Sequence, residues 1–297
     1  MSVALFTLGG PTAAVPGLAE LGVPVEVQDV EEVPSANLTI AKMLDVVDAA
    51  SKAVSDGATG IVVTQGSDTL EETAFLVDQV WPHATPFVLT GATTNPTVAG
   101  PAGPANLLAA VQVAAAPAAR DLGALVVFND EVHAARWVRK THNTSTATFT
   151  SPNAGPIGQV VEGRVRILAR PARQDGVPGR AEPADLEATR VALYAVTLDD
   201  DGLLLEGLAE THQGLVVAGY GVGQVPSALA PVLGALAERI PVVLTSRTGG
   251  GSVLRNTYGL IDGGFLDPYK ARVLLRLLLA TGEGHDDITA AFAQLGW

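Results

Sequence analysis

The chain has 297 residues, of which 47% are hydrophobic and 16% charged, and its formal net charge is −13. That charge argues against nucleic-acid binding, because like charges repel, and the lack of cysteine excludes disulfide bonds, thiolate metal ligands and thiol catalysis. Glycine, proline or charge interrupts each apolar run before it reaches the length of a membrane span. No basic segment with an apolar core opens the chain, so we expect a cytoplasmic protein without a membrane partner.

Strands and helices alternate from the first residues to about position 170. Apolar, β-branched runs predict strands at 3–6, 23–27, 60–63, 86–89 and 124–128. Helical periodicity predicts helices at 70–80, at 106–116 and at 38–55, the last with Asn37 as its cap. This order is typical of an α/β fold, in which helices cover both faces of a parallel sheet.

The composition changes at residues 173–189, which are rich in proline, glycine, arginine and acidic residues and lack periodicity. Such a segment indicates a linker between domains. A second series follows, with strands predicted at 191–197, 214–218 and 241–245 and helices at 228–239 and 268–281. We therefore predict a larger N-terminal α/β domain over 1–172, which carries the active site, and a smaller C-terminal α/β domain over 190–297.

The polar turn after the third predicted strand is the most informative segment. Asp68 and Thr69 can cap the helix that follows, and Glu71 and Glu72 suit the first turn of that helix. Open α/β sheets bind ligands at the carboxyl ends of their strands, so hydroxyls and a carboxylate collected here predict a site. The alternative is an ordinary capped turn, because caps commonly use these residue types.

Residues 64–74 read TQGSDTLEETA, which resembles the T-H-G-T-D-T-x-E-E-T-A signature of the bacterial L-asparaginase/glutaminase family. Other segments match the family in its order: LFTLGG at 5–10, VLTGA at 88–92, VVFND at 126–130, RKT at 139–141, NAGPIG at 153–158 and LDPYKARVLL at 266–275. The resemblance covers nearly the whole chain. It implies two α/β domains, hydrolysis of a side-chain amide with release of ammonia, and dimers or tetramers in which neighbouring subunits complete each site.

The resemblance also implies roles for individual residues. The family has a nucleophilic threonine after the first strand, supported by a second threonine, an aspartate and a lysine; Ser67, Asp68 and Lys140 stand at those three supporting positions. Ser35 resembles the serine that holds the substrate carboxylate. A lysine withdrawn from water can act as a base, and Asp68 can bind a substrate ammonium or steer that lysine. Without the resemblance, Ser35 would be interpreted as a loop serine and Lys140 as a solvated lysine. Further predicted substrate-binding positions come from the matched segments: Gly10, Gly66 and Ala92.

The chain departs from the family at the nucleophile. Pro11 stands where the family has its threonine, and proline has no hydroxyl. Thr12 is either a displaced replacement or part of the segment that follows the family's mobile lid, in which case the lid and its tyrosine are absent. The family's polar groups are also missing at several other positions: Thr93, Thr94, Ala102, Val222 and Gln224.

A glycine-rich turn at Gly219–Gly223 resembles a dinucleotide fingerprint only superficially. It reads G-x-G-x-G, not G-x-G-x-x-G, and no acidic residue closes the expected unit. In the family, the turn at this place reaches a neighbouring subunit's site. The five histidines form no short-spaced ligand pair, so we predict neither a cofactor nor a metal.

Three hypotheses remain open at this level. The first is an amidohydrolase acting on asparagine, glutamine or a related amide, weakened or altered by the missing threonine and lid, with Ser67 as nucleophile and Lys140 as base, or with Thr12 recruited. The second is a repurposed enzyme on the same scaffold with a larger substrate. The third is a non-catalytic homologue that binds a small amino acid or a protein. We expect a small-molecule amide or amino acid as the ligand, and a homodimer or homotetramer as the assembly.

Overall fold

The structure, a computed structural model, describes residues 2–9, 17–30, 32–93 and 102–296. The chain divides into two compact units between Gly176 and Val177. The domain limits predicted at 172 and 190 stay predictions. A short helix, α4 at Pro183–Ala188, lies inside the predicted linker.

The first unit contains ten strands and three α-helices along the part of it that the structure describes. In chain order they are β1 (Val3–Thr7), β2 (Val25–Asp29), α1 (Ile40–Ser55), β3 (Gly60–Gly66), α2 (Leu70–Val80), β4 (Phe87–Ala92), α3 (Ala102–Ala115), β5 (Ala124–Phe128), β6 (Glu131–Ala134), β7 (Arg139–Lys140), β8 (Phe149–Thr150), β9 (Gly158–Val161) and β10 (Arg164–Ile167).

Eight of these strands form one sheet in the order β10-β9-β6-β5-β4-β3-β1-β2. The strands from β2 to β5 pair in parallel, which confirms the α/β class. The centres of β1, β3, β4 and β5 are fully buried because helices shield them from water, whereas β2 is an exposed edge strand. In the register of β3 with β4, Gly66 lies opposite Ala92. The carboxyl ends of β1, β3 and β4 therefore share one edge of the sheet.

The sheet continues beyond β5 as antiparallel strands that the sequence patterns did not predict. Asn129 and Asp130 form the two-residue loop between β5 and β6, and both have positive φ. Glu162 and Gly163 do the same between β9 and β10. Loops of two residues with positive φ follow the right-handed twist of the strands and favour tight hairpins.

One predicted helix cap is wrong, and another is confirmed in position without a capping hydrogen bond. Asn37 lies in a short 3-10 helix at Ser35–Asn37, and Thr39 is the cap of α1, because its hydroxyl accepts a hydrogen bond from the Lys42 amide at 3.1 Å. Thr69 does precede α2, but its side chain makes no capping hydrogen bond. Its hydroxyl donates to the carbonyl of Ser35 at 3.0 Å, so it ties the turn after β3 to the 3-10 helix.

The second unit is a smaller α/β layer. After α4, its elements are β11 (Val191–Ala195), β12 (Gly214–Gly219), α5 (Ala230–Ala237), β13 (Val242–Ser246), β14 (Ile261–Asp262), α6 (Pro268–Ala280) and α7 (His285–Leu295). The parallel sheet has the order β11-β12-β13-β14, and buried aliphatic side chains of the strands and of α5 form its core. Within the described ranges of the whole chain, every helix is too short or too polar to cross a membrane.

Candidate active site

The turn between β3 and α2 places two of the predicted residues at the carboxyl edge of the sheet. The strand runs to Gly66, three residues beyond the predicted end, and its polar residues Thr64 and Gln65 are fully buried. Gln65 accepts a hydrogen bond from the hydroxyl of Thr73 on α2, at 2.9 Å. Ser67 and Asp68 follow directly, so their side chains start from a turn that is fixed on both sides.

Lys140 meets both residues of this turn. Its Nζ lies 3.0 Å from Ser67 Oγ and 3.1 Å from Asp68 Oδ1. Ser35 donates its hydroxyl to Asp68 Oδ2 at 3.0 Å. The structure therefore brings together four predicted residues that are far apart in sequence.

Burial differs sharply within this group. Ser35 and Ser67 are buried, and the Lys140 side chain is only 18% exposed. The Asp68 side chain is 66% exposed, although both of its oxygens have partners. One side of the carboxylate thus remains open to a ligand from solvent.

The charges of the group support each other. The hydrogen bond from Lys140 holds the pKa of Asp68 below its ordinary value, and the hydrogen bond from Ser35 and the positive charge of Lys140 add to this effect against the cost of burial. Asp68 is therefore a carboxylate at neutral pH. The beginning of α2, with its partial positive charge, lies two residues away and favours the same state.

Gly66 and Ala92 lie side by side at the same edge, on β3 and β4. A Cβ atom at Gly66 would lie 2.5 Å from Ser35 Oγ and 2.9 Å from Ser35 Cβ, so only glycine lets Ser35 approach the strand this closely. Asn106 of α3 is buried and braces this edge: it donates to the carbonyl of Gly91 at 2.9 Å and accepts from the Asn129 amide at 3.0 Å. Asn106 was not singled out from the sequence.

Glu71 is a second residue whose part in the site the sequence did not reveal. Its carboxylate is buried and accepts a hydrogen bond from the backbone amide of Lys140, from N to Oε2, at 2.8 Å. The sequence indicated only that an acidic residue suits the first turn of a helix. Residues 69–74, TLEETA, contain Glu71, but no local pattern identifies a hydrogen-bond partner 69 residues away.

Two other predicted site residues, Gly10 and Thr12, lie outside the described residues. Among the residues that are described, no group of three or more His, Asp or Glu side chains could hold a metal ion. His133 is fully buried, with Nδ1 2.9 Å from Ser151 Oγ, and burial lowers its pKa to about 4. It is therefore a neutral residue of the protein interior at physiological pH.

The glycine-rich turn after β12 has a different character. Its backbone groups bond to one another, with the Tyr220 amide donating to the Gln224 carbonyl at 2.8 Å and the Gly223 amide to the Tyr220 carbonyl at 2.9 Å. The carbonyl of Val222 accepts from two amides of a later loop. A phosphate-binding turn needs amides that point at the ligand, and these amides are already engaged.

Comparison with known proteins identifies relatives over nearly the full length. Residues 4–173 match the family described as "Asparaginase, N-terminal", and residues 190–292 match "Glutaminase/Asparaginase C-terminal domain". The chain is 35% identical to a probable L-asparaginase from Deinococcus radiodurans, over 95% of this chain and 88% of that protein. It is 34% identical to L-asparaginase 2 of Escherichia coli, over 80% of this chain and 71% of that protein. The crystal structure of a probable cytoplasmic L-asparaginase from Campylobacter jejuni matches it with a TM-score of 0.89 and 27% identity, covering 99% of both chains.

Proposed function

The chain belongs to the asparaginase family, and on that premise we propose that it is an amidohydrolase that releases ammonia from the side-chain amide of asparagine, glutamine or a related small amino acid. The observation that carries the proposal is the contact of Lys140 Nζ with Ser67 Oγ and Asp68 Oδ1 at 3.0 and 3.1 Å. A hydroxyl in contact with an amine is a combination that supports nucleophilic attack on an amide.

The reaction requires a proton to leave Ser67 and to reach the departing nitrogen. In the proposed sequence, neutral Lys140 takes the hydroxyl proton of Ser67 while Oγ bonds to the amide carbon. The C–N bond then breaks, and Lys140 returns the proton to the nitrogen, which leaves as ammonia. Water hydrolyses the resulting ester and restores Ser67.

The same contacts also limit the rate. The Asp68 carboxylate attracts the ammonium form of Lys140, and that form must lose a proton before it can accept one from Ser67. Pro11 offers no hydroxyl at the family's nucleophile position. We therefore propose weak or altered activity, with turnover of asparagine below ordinary asparaginase rates.

Recognition of the substrate falls to the polar groups around the nucleophile. The exposed side of Asp68 suits the substrate ammonium. The Ser35 hydroxyl, which donates to Asp68 in this structure, would turn towards the substrate carboxylate when substrate binds. Gly66 and Ala92 line the same edge without bulky side chains. The relatives named L-asparaginase support a small amide as the substrate, and the relative from Campylobacter jejuni supports a cytoplasmic location. We also propose a homodimer or homotetramer, with domain limits at 172 and 190.

The test is ammonia release from a panel of amides by the parent chain and by Ser67→Ala. We expect slow release from at least one small amide, and a loss of about a hundredfold or more in kcat for the variant, because removal of a nucleophile is among the most costly changes in an enzyme. Ser246→Ala is the matched control, since Ser246 is also a buried serine at the end of a parallel strand, and it should leave the rate unchanged.

Three results would contradict the proposal. Release of ammonia from asparagine at ordinary asparaginase rates would show that the missing threonine is not limiting. An unchanged rate in Ser67→Ala would show that Ser67 is not the nucleophile. A parent chain that binds amino acids and turns over none of the panel would instead be a non-catalytic homologue.

A further inference from the structure

The β-ladder that carries Lys140 is short. Lys140 lies on β7, a strand of two residues that pairs with the equally short β8 in a ladder separate from the main sheet. Such a short ladder fixes the position of a side chain weakly. The catalytic contacts of Lys140 nevertheless require its Nζ to stay within hydrogen-bond distance of two atoms on another element.

Glu71 supplies a fixed point for this segment. The backbone amide of Lys140 donates to Glu71 Oε2 at 2.8 Å, and Arg139 Nε lies 3.9 Å from the same oxygen. In the β7–β8 ladder the next amide, that of Thr141, donates to the carbonyl of Thr148, so the Lys140 amide is directed away from β8 and towards α2. A hydrogen bond to a buried carboxylate is stronger than one between neutral groups.

The helix that holds Glu71 also holds the catalytic turn. Glu71 is three residues after Asp68, within the first turn of α2. Lys140 is therefore held at both ends by one short stretch of chain: its Nζ by Ser67 and Asp68, and its backbone by Glu71. The distance between the amine and Ser67 is then set by the rigid beginning of a helix.

An electrostatic interaction also links this segment to the other end of α2. Asp78 lies seven residues after Glu71, which is about two helical turns and hence the same face of α2. Burial lowers the pKa of the Arg136 guanidinium, and the charge of Asp78 opposes that shift, so the two charges attract. Residues 136–140 thus interact with α2 near both of its ends.

We propose that Glu71 is the positioning residue of this active site, and that its carboxylate, by binding the Lys140 amide, sets the place of the Lys140 amine beside Ser67 and Asp68. That this positioning serves catalysis rests on the proposed function. The contact itself can be tested without turnover.

The direct readout is the titration of Asp68, followed by NMR of the labelled aspartate carboxyl carbons and assigned through loss of the signal in Asp68→Asn. Lys140 is the main reason for the low pKa of Asp68. If Glu71→Ala releases Lys140, the pKa of Asp68 rises towards its ordinary value of about 4. Glu71→Gln keeps an oxygen that can accept the same hydrogen bond. The pKa of Asp68 in this variant should therefore equal that in the parent. Glu72→Ala is the matched control, one position further and about 100° around the helix, and it should also titrate as in the parent.

Turnover is a second, separate readout. We expect Glu71→Ala to lower kcat about 10- to 100-fold with little change in KM, because a displacement of about 1 Å can cost this much. Glu71→Gln should recover most of kcat. If the parent has no amidohydrolase activity, the proposed function fails and the Asp68 titration still decides the role of Glu71.

An Asp68 pKa that is unchanged in folded Glu71→Ala would overturn the inference. So would a rise of equal size in Glu72→Ala, since the effect would then not belong to Glu71. If Glu71→Ala does not fold, Glu71→Asp decides the matter: it keeps the charge but withdraws the carboxylate by about one bond length, ~1.5 Å. A raised Asp68 pKa in that variant supports the inference, and a parental one overturns it.

Discussion

The two ends of α2 hold carboxylates that behave in opposite ways. At the beginning of the helix, Lys140 and Ser35 bind Asp68 and lower its pKa. Near the end of the helix, burial raises the pKa of Asp78 to about 6, although the Ala124 amide and two arginines oppose that shift. Asp68, just before the helix, therefore keeps its charge at lower pH than an ordinary aspartate, whereas Asp78, near the end of the helix, takes up a proton at higher pH.

The difference shows what makes one edge of the sheet suitable for chemistry. The positive end of the α2 dipole and an amine favour negative charge beside Ser67. At Asp78, burial disfavours the negative charge even though two arginines attract it. Packing is close at both ends, since a Cβ atom at Gly123 would lie 2.2 Å from Asp78 Oδ1 and one at Gly66 would lie 2.5 Å from Ser35 Oγ. Cations lie near both carboxylates, so the burial of Asp78, in contrast to the exposed Asp68 side chain, distinguishes the two ends.

Of the changes considered for the two ends of α2, Lys140→Met should have the largest effect on turnover and on the pKa of Asp68. Methionine preserves the length of the side chain but removes its charge and its donors. We expect turnover to fall by about a hundredfold or more, as for other essential proton-transfer groups, and the pKa of Asp68 to rise. Ammonia release and carboxyl-carbon NMR measure the two effects.

Lys52→Met is the control for this change, because Lys52 forms an exposed i,i+4 ion pair with Asp56 on α1. It should alter neither quantity. If Lys140→Met had the same turnover and the same Asp68 pKa as the parent, Lys140 would not be the cause of the low pKa of Asp68.

A smaller effect is expected from Gly66→Ala. The new Cβ would lie within 3 Å of two Ser35 atoms, so the 3-10 helix must move away from β3. Overpacking of this kind costs about 1–3 kcal/mol. Urea unfolding should show the loss, and the pKa of Asp68 should rise as Ser35 is displaced.

Gly234→Ala gives the opposite expectation. Gly234 lies within α5, and nothing lies within 4 Å of a Cβ atom there. Alanine in a helix should raise stability by up to about 1 kcal/mol. Equal losses in both variants would mean that the close approach of Ser35 to Gly66 contributes nothing specific.

The smallest effect concerns the far end of α2 and depends on pH. Because the pKa of Asp78 is about 6 in the folded chain and about 4 in the unfolded one, the folded chain retains a proton between these values that the unfolded chain has lost. The contribution of protonated Asp78 to the free energy of unfolding is therefore fully present below pH 4 and is lost as the pH rises through 6. Partial access of water reduces the effect to about 1–2 kcal/mol.

Asp78→Asn removes this titration and keeps an oxygen for the Ala124 amide. The variant should equal the parent in urea midpoint near pH 4 and exceed it at pH 8. Asp56→Asn, at the exposed end of α1, should leave the pH dependence of the midpoint as it is. If the difference in urea midpoint between the parent and Asp78→Asn were the same at pH 4 and at pH 8, the raised pKa of Asp78 would be contradicted.

The sequence predicted the parallel part of the fold well, because burial and period act within single elements. The predicted bounds of α2 and β5 agree with the structure. Prediction failed where distant contacts decide. The end of β3 was set too early, since Gln65 is polar and its burial depends on the hydroxyl of Thr73. The antiparallel strands beyond β5 are short, and their hairpins depend on positive φ at residues such as Asn129.

The site was predictable only in part. Ser35, Ser67, Asp68 and Lys140 could be grouped through the family resemblance, because no local pattern links positions so far apart. Their mutual distances, and the bond between Glu71 and the Lys140 amide, depend on how the β7–β8 segment packs on α2. Those contacts arise only in the folded chain.

The most direct test of the central claim is mass spectrometry of the chain quenched with acid during turnover of a small amide. Formation of an ester on the nucleophile adds the acyl group of the substrate to one peptide. We expect that mass increase on the peptide that contains Ser67, and none in Ser67→Ala. An adduct on the peptide that contains Thr12, with Ser67 unmodified, would contradict the assignment of Ser67 and Lys140 as the reacting pair.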